Sequence, residues 1–293
     1  MNADERGHGA AERYLDLLKS ALTFTLWPQP LEPIDRFNEE RTAPKRIAVS
    51  FVSRLIGLTG YQLAREVTAT DEDRREGRTW PAQADTMMGL TRLSHLQRCV
   101  ETVLAEAIPG DLIETGVWRG GGCILMRGVL AAHGVRNRKV YVADSFRGFP
   151  PNEAPQDEVD DPDEYRSYFA VSESTVRENF RRYGLLDEQV VFLNGWFKDT
   201  LPTAPIDTLA ILRLDGDMYG STMEALEALY PKLAPGGFCI VDDYEAIEAC
   251  RQAVTDYRAA NGITANIERI DWTGIYWRKP ANAASSGSTP PAT

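Results

Sequence analysis

Ala210-Ile-Leu-Arg-Leu-Asp-Gly-Asp217 and, further on, Ile240-Val-Asp-Asp243 decide the fold, because each is an apolar run that ends in carboxylates. An apolar run closed by a turn signal reads as a buried strand of a parallel sheet. Ligand sites in such sheets lie beyond the carboxyl ends of the strands. The two stretches therefore gather Asp215, Asp217, Asp242 and Asp243 at one rim. Like charges crowd unfavourably there unless something positive is bound.

Outward from these two runs, Asp111–Gly116, Lys139–Asp144 and Val190–Asn194 read as earlier strands, with Thr208–Leu214 fourth and Gly237–Val241 fifth. Helical patterns separate them at Cys123–His133, Ser172–Tyr183 and Ser221–Lys232, and Ala246–Asn261 follows the last. Asn266–Asp271 and Gly274–Arg278 read as a hairpin around Trp272-Thr273. Strands alternating with helices imply right-handed βαβ units. The fold class is α/β, a doubly wound, mostly parallel sheet with an antiparallel C-terminal hairpin.

The N-terminal part reads differently. Ala10–Trp27 and Arg46–Thr68 carry apolar residues near helical spacing, Pro28, Pro30 and Pro33 interrupt, and Thr70–Gly77 reads as a charged loop. Residues 1–84 are expected to form a helical arm packed on the core, on a neighbouring subunit, or on both, so a homo-oligomer is expected. Residues 1–10 read as loose. The helix Leu90–Ala107 precedes the first strand, and His95 on it reads as structural. The sheet domain is expected over 85–279 and a disordered tail over 280–293.

Composition narrows the function classes. The 293 residues are 43% hydrophobic, enough for a full core, and a net charge of −11 argues against nucleic acid or an anionic membrane as partner. Cys99, Cys123, Cys239 and Cys250 lie far apart without a CxxC pair and read as buried thiols. The sequence shows no signal-peptide pattern and no run of roughly 20 apolar residues, which points to a cytoplasmic protein.

Glu114-Thr-Gly-Val-Trp-Arg-Gly-Gly-Gly122 joins a strand to a helix and matches neither G-x-G-x-x-G nor the P-loop. An acid just ahead of the glycine turn suits a ligand with an amino group and a sulfonium better than a pyrophosphate. Asp144, at the end of the second strand, can take both ribose hydroxyls. The gap from Glu114 to Asp144 exceeds the roughly 20 residues of the dinucleotide pattern. Trp196 and Phe197 could wall an adenine or belong to the core. Three carboxylate oxygens from the rim, with no histidine or cysteine, make a hard-ligand set that favours Mg²⁺, Mn²⁺ or Ca²⁺ over zinc. Asp242 and Asp243 can reach one ion only if their strand has already ended.

Five motifs together resemble the macrocin O-methyltransferase family: Glu114-Thr-Gly-Val-Trp-Arg-Gly-Gly, Asp144-Ser-Phe-Arg-Gly-Phe149, Gly195-Trp-Phe-Lys-Asp-Thr-Leu201, Leu214-Asp-Gly-Asp-Met-Tyr219 and Val241-Asp-Asp-Tyr244. The resemblance runs from about Thr86 to Lys279 and includes Met87-Met-Gly-Leu-Thr-Arg-Leu93. It implies a Rossmann-like methyltransferase fold, with S-adenosylmethionine and Mg²⁺ as cofactors and a sugar hydroxyl of a glycosylated natural product as acceptor. It implies Asp215, Asp242 and Asp243 on the metal and Asp217 as general base. It further implies Glu114 and Gly116 near the methionine part, Asp144 and Ser145 on the ribose, and Thr86, Met87, Gly195, Trp196 and Phe197 bordering the cofactor.

The chemistry is coherent on physical grounds. A sugar hydroxyl is a poor nucleophile at neutral pH. A metal beside it lowers its proton affinity, and a nearby carboxylate off the metal removes the proton. The acidic, Pro-rich insertion at 150–170, ending Tyr165-Arg-Ser-Tyr-Phe169, reads as a lid or a solvated loop. The rival readings are a catechol or phenolic O-methyltransferase, a dinucleotide-dependent oxidoreductase, and a non-catalytic metal-binding or assembly protein.

Overall fold

In the computed structural model a seven-stranded sheet carries the described residues, which are 9–34, 42–66, 69–151, 154–158 and 166–280. The loose start expected at 1–10 falls outside them except for its last two residues, as does the tail from 281 onward.

In chain order, α1 (Ala10–Leu22), β1 (Glu32–Pro33), α2 (Ala43–Gly57), β2 (Ala64–Arg65) and α3 (Asp71–Arg75) come first. Then follow α4 (Leu90–Ala105), β3 (Asp111–Thr115), α5 (Gly121–Ala132), β4 (Val140–Asp144), α6 (Arg166–Phe169) and α7 (Glu173–Arg182). The chain closes with β5 (Val190–Asn194), α8 (Phe197–Thr200), β6 (Leu209–Leu214), α9 (Tyr219–Leu229), β7 (Leu233–Val241), α10 (Glu248–Ala260), β8 (Glu268–Arg269) and β9 (Ile275–Arg278).

The large sheet has the order β5-β4-β3-β6-β7-β9-β8. Strands β3 to β7 are parallel, and β9 pairs antiparallel with both β7 and β8, so the closing hairpin is as expected. Every residue of β6 is buried, as a central parallel strand covered on both faces must be. Leu15, Leu18, Leu93, Leu96, Ile124 and Phe180, from α1, α4, α5 and α7, cover one face of the sheet. Leu226, Leu229, Val254 and Tyr257, from α9 and α10, cover the other. From β3 the chain lays β4 and β5 to one side and later places β6 and β7 on the other. The crevice at that reversal is where ligands bind in such sheets.

The N-terminal part corrects three expectations. Helix α1 stops at Leu22 rather than Trp27, because Thr23 Oγ1 donates back to the Lys19 carbonyl at 2.9 Å and Phe24 turns to φ +59°. The segment beginning at Thr70 is not a loop. Thr70 Oγ1 accepts from Asp73 N and Asp73 Oδ2 accepts from Thr70 N, both at 3.1 Å, a reciprocal capping box that starts α3. Helix α2 ends at Gly57, and the chain beyond it enters β2, which pairs antiparallel with β1. The region is therefore helical with a short ribbon. No helix among the described residues is long and apolar enough to cross a membrane.

Candidate active site

A cavity of about 420 Å³ opens along the carboxyl ends of β3 to β7. Thr86, Met87, Glu114, Gly116, Asp144, Ser145, Gly195, Trp196, Phe197, Asp215, Asp217, Asp242 and Asp243 all line it. The residues singled out in the sequence thus share one continuous space, of the size that takes a small-molecule ligand.

At the carboxyl end of β4 the chain itself partners the side chains of Asp144 and Ser145. Asp144 Oδ2 accepts from Val117 N and Oδ1 from Phe146 N, each at 2.7 Å. These contacts pin two turns in which non-glycine residues hold positive φ, Trp118 at +47° and Phe146 at +55°. Burial pushes the Asp144 carboxyl up, and the backbone N–H groups oppose it. Ser145 is committed to its own turn, its Oγ donating to Gly148 O at 2.9 Å and accepting from Arg147 N at 3.0 Å. Thr86 Oγ1 accepts from Met88 N at 3.1 Å and fixes the segment that covers the start of α5. The glycine of the β3 turn has a structural cause. A Cβ on Gly116, at φ +78°, would sit 1.6 Å from the Asp215 carbonyl oxygen, so β3 and β6 can converge only with glycine there.

The β6–β7 end is different. One oxygen from each of Asp215, Asp242 and Asp243 lies within 4.8 Å of the others. Strand β7 ends at Val241, which frees both following acids to turn toward one point. Burial, then Asp242, pushes the Asp215 carboxyl up to about 8. Burial and then Asp217, Asp215 and Asp242 push Asp243 well above the usual carboxylate range, and its Oδ2 is buried with no hydrogen-bond partner. Asp217 stands next to Asp243 with its backbone at φ +55°.

Two arginines at this rim were not singled out in the sequence. Arg213, 1% exposed, projects from β6 and donates to Glu114 Oε1 at 2.5 Å, to Asp215 Oδ2 at 2.7 Å and to Asp242 Oδ1. Arg92, from α4, donates to the other oxygen of Asp242 and pairs with Asp271 Oδ2 at 2.9 Å. Asp242 is therefore held below the usual carboxylate range by Arg213 and Arg92, although burial works against its charge. Part of the positive charge expected at this rim belongs to the protein itself. The signal for Arg213 was present: an arginine inside an apolar strand is a buried charge that demands partners. Register places Glu114 directly beside it on β3. For Arg92 the sequence offered no comparable cue.

His95 lies away from the cavity. It is buried against Tyr276, ring centroids 4.4 Å apart, and burial lowers its pKa to about 4, so its role is packing. All four cysteines are free and buried, as expected.

Aromatic residues close the cavity on the side of the 150–170 insertion, parts of which (152–153 and 159–165) lie outside the described residues. Trp80 Nε1 donates to Tyr168 Oη at 2.9 Å, and the Phe149 and Phe169 rings stand 4.8 Å apart. Asp157, in the turn Pro155–Glu158, is buried and accepts from Tyr219 N at 2.7 Å and Gly220 N at 3.2 Å.

Comparison with known proteins agrees with this geometry. The family model "Macrocin-O-methyltransferase (TylF)" matches residues 11–279, beginning well upstream of the motifs that carry the resemblance. The chain is 58% identical over 225 residues to the 8-demethyl-8-(2,3-dimethoxy-alpha-L-rhamnosyl)-tetracenomycin-C 4'-O-methyltransferase of Streptomyces olivaceus, covering 76% of this chain and 85% of that one. It is 55% identical over 218 residues to the demethyldecarbamoylnovobiocin O-methyltransferase of Streptomyces niveus, covering 73% and 83%. The solved structure of the O-methyltransferase NovP superposes with a TM-score of 0.79 at 46% identity, over 92% of this chain and 100% of that one. These relationships set aside the oxidoreductase and non-catalytic readings. The chain belongs to the macrocin O-methyltransferase family and is an S-adenosylmethionine-dependent O-methyltransferase.

Proposed function

We propose that the protein methylates a sugar hydroxyl of a glycosylated small molecule. In this reading Asp217 is the general base, and a divalent cation, Mg²⁺, is held by Asp215, Asp242 and Asp243. The observation that carries it is the orphaned Asp243 Oδ2, buried beside Asp215 and Asp217 in a cluster whose arginines reach Asp215 and Asp242. An unpaired buried carboxylate oxygen is costly, and an oxygen-only donor set suits a hard cation. The residues therefore fit the ion. When bound, it would supply Lewis-acid stabilisation to the charge developing on an acceptor oxygen.

The rest of the chemistry belongs to the chain. Asp217, two residues past Asp215 and outside the ligand set, takes the acceptor hydroxyl proton. Glu114 keeps Oε2 buried and unpartnered in the cavity wall, suited to the amino group of the cofactor. Asp144 lies where the ribose hydroxyls would be met, and Trp196 and Phe197 border the base. The insertion, through Tyr168 and Phe169, closes the acceptor side and excludes water. The name of the Streptomyces olivaceus relative places its methyl group on a rhamnosyl-bearing tetracenomycin, which supports a glycosylated acceptor here. The exposed Ile47, Phe51 and Leu55 of α2 support the expected homo-oligomer, which sedimentation over a concentration series would test.

Paired acceptors test the function. Rhamnosylated aromatic polyketides and their aglycones would be incubated with S-adenosylmethionine and Mg²⁺ and followed by mass spectrometry. A gain of one methyl on the glycoside alone, lost with EDTA, supports the reading. Methylation of a phenolic aglycone with none on the glycoside would overturn it.

A further inference from the structure

Helix α9 begins two residues after Asp217, so its first turn fixes the backbone that carries the base. An α-helix leaves its first N–H groups without internal partners, and a Ser, Thr, Asp or Asn at the N-cap ordinarily meets them. Here the N-cap is Met218, which makes no side-chain cap. The carboxylate of Asp157 meets these N–H groups instead, at 2.7 Å from Tyr219 N and 3.2 Å from Gly220 N, across 62 residues of sequence. Asp157 is only 3% exposed. The fit is close, since a Cβ on Gly220 would already stand 3.4 Å from Asp157 Oδ2.

The turn ahead of this helix is under strain. Asp217 sits at φ +55°, and Met218 N folds back on Gly216 O at 2.5 Å. A non-glycine residue stays in that region only where its surroundings over-determine it. The carboxylate that clamps α9 is one such constraint, and it comes from the insertion at the mouth of the cavity.

We propose that Asp157 is a positioning residue. By capping α9 from the Pro155–Glu158 turn it holds the 215–218 turn in the geometry that aims Asp217. The inference rests on the reading of Asp217 as general base. It goes beyond that reading by giving the Pro155–Glu158 turn a part in positioning the base.

The test compares the full-length protein with Asp157→Ala, Asp157→Asn, and Asp157→Ala combined with Met218→Ser, which supplies a local cap. Hydrogen exchange at the Tyr219 and Gly220 amides is read alongside steady-state kinetics and S-adenosylhomocysteine affinity. Loss of the cap is expected to speed exchange at those two amides by about tenfold. It should lower kcat by a similar factor, with acceptor KM and S-adenosylhomocysteine affinity nearly unchanged. Asp157→Asn should fall between, and Met218→Ser, whose hydroxyl would reach the second helical amide, should restore protection at Gly220 and kcat. A raised KM with kcat and exchange unchanged would overturn the proposal, leaving Asp157 a lid anchor only. Failure of Met218→Ser to restore kcat while restoring protection would also overturn it. The exchange result does not depend on Asp217, so it stands apart from any failure of the base assignment.

Discussion

The two ends of the cavity are built on opposite principles. At the β3–β4 end, Asp144 spends both oxygens on backbone N–H groups and Ser145 closes its own turn, so the surface is formed before any ligand arrives. At the β6–β7 end the carboxylates outnumber the arginines that reach them. Asp243 keeps an orphaned oxygen, and Asp215 is pushed up to about 8, chiefly by burial. The corner around Asp144 and Ser145 is thus shaped by the chain alone, whereas the acidic end is left electrostatically incomplete for a ligand to finish.

The most damaging change should strike the residue that joins the two ends. Arg213→Met leaves Glu114, Asp215 and Asp242 without their shared guanidinium. Removing one partner of a buried ion pair costs about 3–5 kcal/mol. Urea unfolding should show a loss of that size. A variant as stable as the parent would mean that the acidic end is less charged than the account requires.

Next in size is the catalytic effect of Asp217→Asn, a fall in kcat of about 10²–10⁴-fold with S-adenosylhomocysteine affinity kept. Calorimetry and turnover read the two quantities separately, and undiminished turnover removes Asp217 from the chemistry.

A paired substitution sharpens the comparison itself. Asp144→Asn turns an acceptor into a donor facing a backbone N–H and should cost about 1–3 kcal/mol. Asp243→Asn removes a carboxyl that folding pushes well above its usual range and should raise the melting temperature of the metal-free protein. Shifts of the same sign in both variants would break the distinction between the ends.

The smallest effect is a pH dependence. The Asp215 carboxyl is raised from 3.8 to about 8 on folding, chiefly by burial, so the folded protein holds a proton that the unfolded chain has released. Stability of the metal-free protein therefore falls as pH rises across that window. His95, lowered to about 4 by burial, acts in the opposite sense between about 4 and 6.5. The clean reading lies between pH 6.5 and 8, where the melting temperature should decline without Mg²⁺ and stay level with it.

Much of this was legible in the sequence for a physical reason. Buried parallel strands must be apolar, so β4 and β6 stood out with nearly their true ends, and the acids beyond β6 and β7 marked the rim. The N-terminal region was less legible. The capping box at Thr70 and Asp73 was hidden among charges, and the β1–β2 ribbon is too short to show a period. At the site the acids were legible and the arginines less so: Arg213 shows as a charge inside an apolar strand but its partners do not, and Arg92 gains meaning only from the contact that α4 makes with the rim. Asp157 was invisible for the same reason. A helix cap 62 residues distant has no local pattern.

The most direct test of the incomplete acidic end is a Mn²⁺ titration followed by electron paramagnetic resonance, on the wild-type protein and on Asp243→Asn. The account predicts a single saturable ion site in the wild type that disappears in the variant, while S-adenosylhomocysteine binding, governed by the other end, is unchanged. Absence of a saturable site in the wild type, or equal Mn²⁺ affinity in both proteins, would contradict it.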